Sequence, residues 1–154
     1  MITKLSESVT HNPWQLRKRV LPQHTDHAGV VWHGTYVAWF EEARVEALVQ
    51  AGLAYADLAG TGVEMPVVSL RINYFKSLGH GDLVVLESVC GERVGVRWPW
   101  FCRLMRGKEL IAESFVELVL VQQTASGHRV LRRPPNELAS VLNRLHAGPP
   151  RGML

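Results

Sequence analysis

The most restrictive feature of this sequence is a change of period. Tyr36, Trp39, Phe40, Ala43, Ala47, Leu48 and Ala51 recur at steps of three and four, the spacing that lines one face of an α-helix. Thr35 is the expected N-cap and Gly52 the expected stop. So broad and aromatic a stripe must be covered, with Glu42, Glu46 and Gln50 on the wetter side. After a short helical turn at 54–59 and the loop Gly60-Thr61-Gly62, the cover follows as four β-rich runs at 66–77, 82–93, 96–105 and 110–122. Gly79-His80-Gly81, Gly95 and Arg106-Gly107-Lys108 punctuate them, and connections this short join antiparallel neighbours. One more strand is expected ahead of the helix, from Trp14 to Gln23 with Pro22 interrupting it, and a last short one at 129–132. Pro134-Pro135 opens a final helix to Leu145, and a loose tail is expected from Gly148. One long helix on a twisted antiparallel sheet is an α+β architecture. Its uncovered edge strands make pairing with a second copy the expected remedy.

The chain has 154 residues, 47% hydrophobic and 20% charged, the composition and length of one domain with one core. That domain spans 1–154, with its core at about 14–133 and a C-terminal helix at about 134–146. Cys90 and Cys102 lack CxxC spacing and are read as small buried apolar residues in neighbouring strands. The polar stretch from Met1 to Asn12 has no apolar leader segment, and no run approaches the roughly 20 apolar residues of a membrane span. A cytoplasmic protein without a membrane partner is expected. The net charge of +3 is spread out, densest at Arg17-Lys18-Arg19 and at 129–133. Those positions are solvated strand faces or a landing surface for phosphates, and without a recognition motif nucleic acid is not an expected partner.

The chemistry-bearing residues crowd into His24-Thr25-Asp26-His27-Ala28-Gly29-Val30-Val31-Trp32-His33. A metal site would need ligands in regular geometry, and the Ala28-Gly29 turn denies it. No metal or cofactor is therefore expected. Asp26 has two readings from its surroundings alone. It caps a turn by accepting backbone N–H bonds, or it acts on a substrate beside the start of the following helix. Unpaired N–H groups and the positive dipole end there suit a developing oxyanion, and a carboxylate beside a carbonyl attacks it or takes a proton from water.

The same stretch, continued through Gly34-Thr35-Tyr36 and Trp39-Phe40-Glu41-Glu42-Ala43-Arg44, resembles the signature of the 4-hydroxybenzoyl-CoA thioesterase family of hotdog-fold proteins. Pro66-Val67-Val68, Asn73-Tyr74-Phe75 and Gly81-Asp82-Leu83 resemble the family's second block, so the likeness covers about Leu16 to Gln122. It implies a hotdog fold, a long central helix wrapped by a twisted antiparallel sheet, and hydrolysis of an acyl-CoA. It places the catalytic aspartate at Asp26 and the oxyanion donor at the backbone N–H near His33. The His33 side chain then assists water or the leaving group, or stacks on its aromatic neighbours. Gly29, Trp32 and Tyr36 fall on substrate-binding positions, with Glu41 and Arg44 read as a buried structural pair. Arg71, Lys76 and Arg93 are candidates for the CoA phosphates, and a dimer or dimer of dimers is implied. Gln23-His24 ahead of the aspartate and Trp32 before His33 are most similar to the branch that hydrolyses 1,4-dihydroxy-2-naphthoyl-CoA in phylloquinone (vitamin K1) synthesis. The competing readings are a short-chain aliphatic acyl-CoA thioesterase and a non-catalytic acyl-CoA-binding hotdog protein.

Overall fold

The computed structural model describes residues 12–152, so the expectation for the polar amino-terminal stretch lies almost wholly outside the described residues. Strand β1 (Trp14–Arg19) is followed by a 3-10 turn at Pro22–His24, helix α1 (His33–Gln50) and the short helix α2 (Tyr55–Gly60). Then come β2 (Val63–Glu64), β3 (Val67–Tyr74), β4 (Leu83–Cys90), β5 (Arg97–Arg106), β6 (Glu109–Val119), β7 (Val121–Thr124), β8 (Gly127–Val130) and helix α3 (Asn136–Ala147). Five strands pair in the order β1-β4-β5-β6-β3, and β2-β7-β8 form a second small sheet. Every pairing is antiparallel. The architecture is α+β, as the period change predicts. No helix among the described residues is long and apolar enough to cross a membrane.

Several boundaries differ from expectation, each for a physical reason. β1 ends at Arg19 and does not reach Gln23, because Pro22 donates no ladder bond and opens the 3-10 turn instead. α1 begins at His33, with Trp32 in the N-cap position. Thr35 is not the cap: its hydroxyl turns inward and donates to His24 O at 3.1 Å. Gly52 follows the helix at φ +106, the left-handed conformation in which glycine commonly closes a helix. The apolar run 110–122 is divided at Leu120 into β6 and β7, and the last strand starts two residues earlier than expected, at Gly127. The start of the expected loose tail is tied down, since Asn12 Nδ2 donates to Pro149 O at 3.0 Å.

The stripe of α1 is buried as predicted: Tyr36, Trp39, Phe40, Ala43, Ala47 and Leu48 are all at most 4% exposed. Its first half packs with Leu86, Cys102, Leu104 and Ile111 of the sheet and with Val20, Val31 and Leu78. Its second half packs with Trp14, Trp100, Leu118 and the α3 residues Leu138, Leu142 and Leu145. Trp14 Nε1 donates to Leu145 O at 3.0 Å, which fastens α3 to β1. Another face of α1 stays open, with Val37 39% and Val49 46% exposed.

Across the buried face of the sheet, Ser88, Cys102 and Ser114 stand side by side in register. Three small residues in a row let a helix carrying Ala43 and Ala47 lie close to the strands. Burial pushes the Cys90 thiol up to about 12 and the Cys102 thiol further still, as expected of cysteines serving as small apolar residues. The Ser88 and Ser114 hydroxyls have no hydrogen-bond partner among the described residues. Opposite mutational signs follow. Ser114→Ala is expected to stabilise by about 1 kcal/mol, because an unpaired buried hydroxyl is removed, whereas Cys102→Leu overpacks the row and costs about 1–3 kcal/mol. Urea unfolding midpoints at constant slope check both signs.

Candidate active site

Residues 24–33 fold into a small hairpin whose tip is the Asp26 turn. Asp26 N donates to Val30 O at 2.9 Å, Gly29 N donates to Asp26 O at 3.0 Å, and Thr25 bridges Val31. Gly29 closes the turn at φ +79, a conformation costly for other residues. The Asp26 side chain is exposed. Its Oδ1 accepts from the Ala28 amide at 2.8 Å and the Val30 amide at 3.4 Å, while Oδ2 has no partner among the described residues. The turn-capping reading of Asp26 is thus realised on one oxygen, and the other is unpaired among the described residues. His24 is a local cap of the kind its position suggests, accepting the Leu21 amide on Nδ1 at 3.0 Å and meeting Trp39 edge-on at 5.0 Å. Burial, followed by the Lys18 charge, lowers its pKa.

Helix α1 starts at His33, two residues after Val31. Of its first amides, Trp32 N donates to His24 O at 3.3 Å and Thr35 N to Trp32 O at 3.0 Å. That leaves the His33 and Gly34 amides without a partner among the described residues, which is the usual state of a helix start. Asp26 N pairs with Val30 O one residue towards the tip from the Thr25–Val31 bridge, and Val30 stands three residues ahead of His33. The Trp32 ring meets His33 edge-on at 5.3 Å and lies over Gly34, where an added Cβ would come within 2.2 Å of it. Only glycine leaves the ring in that place.

His33 and Tyr36 share one open cleft of about 340 Å³ with Val31, Tyr74, Phe75 and Ser77, and Lys76 at its rim. Asp26, Gly29 and Trp32 border this region along the chain and are not in the cleft lining. Tyr36 is 3% exposed, and its ring meets that of Tyr74 edge-on at 5.1 Å. Burial first and Tyr74 second raise its phenol pKa, so the hydroxyl stays protonated. Tyr74, Phe75 and Ser77 were missed as cleft residues. The signal for Tyr74 and Phe75 was the second sequence block, which marks a likeness without showing that it folds back onto the first; Ser77 lies outside that block.

A separate cavity of about 170 Å³ lies under the far half of α1, lined by Glu41, Arg44, Leu48, Trp98, Trp100 and Leu145 among others. Glu41 is exposed and Arg44 half-buried, which corrects the expected burial of these two residues: the helix turns Glu41 onto its open face, in step with Val37 and Val49. The α1 carboxylate with a strand partner is Glu42, 3.0 Å from Lys18. Of the three phosphate candidates only Lys76 borders the cleft, and Glu109 holds it at 2.7 Å. Arg71 stands opposite Phe115 on the outer sheet face, while Arg93 lies over the Trp98 ring and donates to Arg132 O.

The sequence profile of the thioesterase superfamily matches residues 28–112, beginning two residues after Asp26. Among curated relatives, sll0410 of Synechocystis sp., an esterase by inference, is 44% identical over 131 residues, covering 84% of this chain and 78% of the relative. A hypothetical protein from Thermus thermophilus superposes with a TM-score of 0.76 at 30% identity, over 86% of this chain and 98% of that one. The DHNA-CoA thioesterase of Staphylococcus aureus superposes with a TM-score of 0.75 at 25% identity, over 86% and 90%. With more than half its length matched by the family profile and its hotdog architecture shared with these structures, the chain belongs to the thioesterase superfamily and is a thioester hydrolase.

Proposed function

We propose that this enzyme hydrolyses acyl-CoA thioesters in the cytoplasm, with Asp26 as its catalytic carboxylate. The observation that carries the reading is an Asp26 oxygen with no partner among the described residues, on a turn that runs directly into the open amides of His33 and Gly34: a proton acceptor or nucleophile followed by an oxyanion site. Water attacks the thioester carbonyl as Asp26 takes its proton, or Asp26 itself attacks and water then opens the anhydride. In both routes the carbonyl oxygen gathers negative charge against the helix start and CoA leaves as the thiolate, which takes up a proton. Single turnover in heavy-oxygen water tests the anhydride route, since water that attacks the Asp26 carbonyl of the anhydride leaves its label on the Asp26 carboxylate.

The acyl group we assign is aromatic, with 1,4-dihydroxy-2-naphthoyl of phylloquinone synthesis the first to test. Supporting it are the aromatic rings in the cleft lining, His33, Tyr36, Tyr74 and Phe75, with the Trp32 ring edge-on to His33, together with the likeness to the S. aureus enzyme. We also assign a homo-oligomer, a dimer or dimer of dimers, joined along β3. That strand ends the sheet order with one edge unpaired, and Val67, Val68, Leu70, Tyr74 and Phe75 are each between 44% and 54% exposed along it and just beyond. An apolar open edge is a pairing template, and this one ends at the cleft.

Three measurements test the reading. In a thiol-trapping assay over aromatic and aliphatic CoA esters, Asp26→Asn is expected to lower kcat by about 10²–10⁴-fold with circular dichroism unchanged. Parent-like turnover in that variant would sink the mechanism, and silence of the parent on every ester would favour a binding protein. Gly34→Ala is expected to fold normally while displacing the exposed Trp32 ring, raising KM for aromatic esters about threefold to tenfold and leaving short aliphatic esters unchanged. Val68→Lys on the β3 edge is expected to sediment as a smaller species than the parent and to lose kcat/KM with it.

A further inference from the structure

A chain of contacts unused so far leads from the Asp26 turn to two charged residues far away in sequence. The second limb of the hairpin is held from below: Val31 N donates to Leu78 O at 3.0 Å and Val30 bridges Gly79. Leu78 is fully buried, so one end of this support is fixed by the core. The other end, from Gly79 to Asp82, is a tight polar turn, closed by Asp82 N donating to Gly79 O at 3.2 Å. There a single carboxylate oxygen does the fastening. Asp82 Oδ2 accepts the Gly79 amide at 2.9 Å and Arg106 Nη1 at 2.8 Å. Arg106 reaches across from the end of β5, and its Nε donates to Glu109 at 3.3 Å, which anchors the guanidinium from the other side.

We propose that Asp82 and Arg106 are positioning residues for thioester hydrolysis, holding the Gly79 turn on which the Val30–Val31 limb, and through it the Asp26 carboxylate, is aligned. The inference rests on Asp26 being the catalytic group. Neither residue is deeply buried, with side chains 29% and 32% exposed, and exposed ion pairs contribute little to global stability. Small displacements of a reacting group, by contrast, are costly to rate. Loss of the pair should therefore register in turnover while the fold persists.

The experiment compares Asp82→Ala, Asp82→Asn, Arg106→Gln and Arg106→Lys with the parent. Arg97→Gln, which breaks the Arg97–Glu117 surface pair at the opposite end of β5, is the control. Asp82→Ala and Arg106→Gln are expected to lower kcat at least tenfold with KM within twofold, the signature of an interaction lost at the chemical step. Asp82→Asn and Arg106→Lys should recover part of that loss, because an acceptor for the Gly79 amide and a cation are respectively retained. Hydrogen exchange at the Asp26 and Val31 amides should quicken in Asp82→Ala and stay at parent level in Arg97→Gln. Turnover within twofold of the parent in Asp82→Asn and Arg106→Gln, or unchanged exchange at those two amides, would overturn the proposal even if Asp82→Ala alone folds poorly. Asp26→Asn run alongside tells the two readings apart: if it is inactive while the Asp82 variants are fully active, only the positioning role fails, and if it is fully active, both fail.

Discussion

The backbone pairing of Val30–Val31 with Leu78–Gly79 is the contact on which the rest of the candidate site depends. It joins a loop to the β3–β4 connection at a place where Val31, Leu78 and Val20 close one end of the core beside Tyr36 and Trp39. A ten-residue loop free in solvent would sample many conformations. Here its two limbs are bonded to each other, its second limb is bonded to the neighbouring connection, and its last residues run straight into α1. The turn that carries the carboxylate is therefore tied by backbone bonds to the residues that lead into the helix start.

α1 supplies the second constraint, since the same helix is a core element and one wall of the site. Burying Tyr36, Trp39 and Phe40 against the sheet fixes the direction of the axis, and the small row Ser88, Cys102 and Ser114 fixes how close it lies. The helix start follows directly on the hairpin that carries Asp26. The face carrying Val37 and Val49 and the neighbouring β3 edge stay uncovered in a single chain. Apolar surface of that kind on either side of a cleft links assembly to the completeness of the cleft.

How much of this could be read from residues varied with the range of the interaction. The α1 stripe was legible because helical period is a local property, and the four runs and their glycine punctuation located β3 to β6. The start of α1 was not legible: Thr35 has the chemistry of a cap, but its hydroxyl is taken by the carbonyl of His24, eleven residues earlier. β7 merged with β6 because the apolar run is continuous through Leu120, and β2, only two residues long, carries no period at all. For the site, Asp26 and His33 stood out as candidates by their motif, and the structure shows His33 in the cleft with Tyr36. Tyr74 to Ser77 join them only through the β3–β6 pairing and the return of the next connection. The Asp82–Arg106 contact, 24 residues apart, left no signal, because two charges far apart in a chain do not announce that they meet.

Asp26 Oδ1 fastens the turn while Oδ2 has no partner among the described residues, so a single side chain closes the joint and keeps one oxygen spare. Its reach is set by the joint: one methylene is the length at which a side-chain oxygen can fold back on the amides two and four residues ahead. A glutamate would carry the same charge but place it beyond that embrace, and the hairpin tip would lose its clasp. The choice of carboxylate here is thus dictated by loop geometry before any substrate arrives.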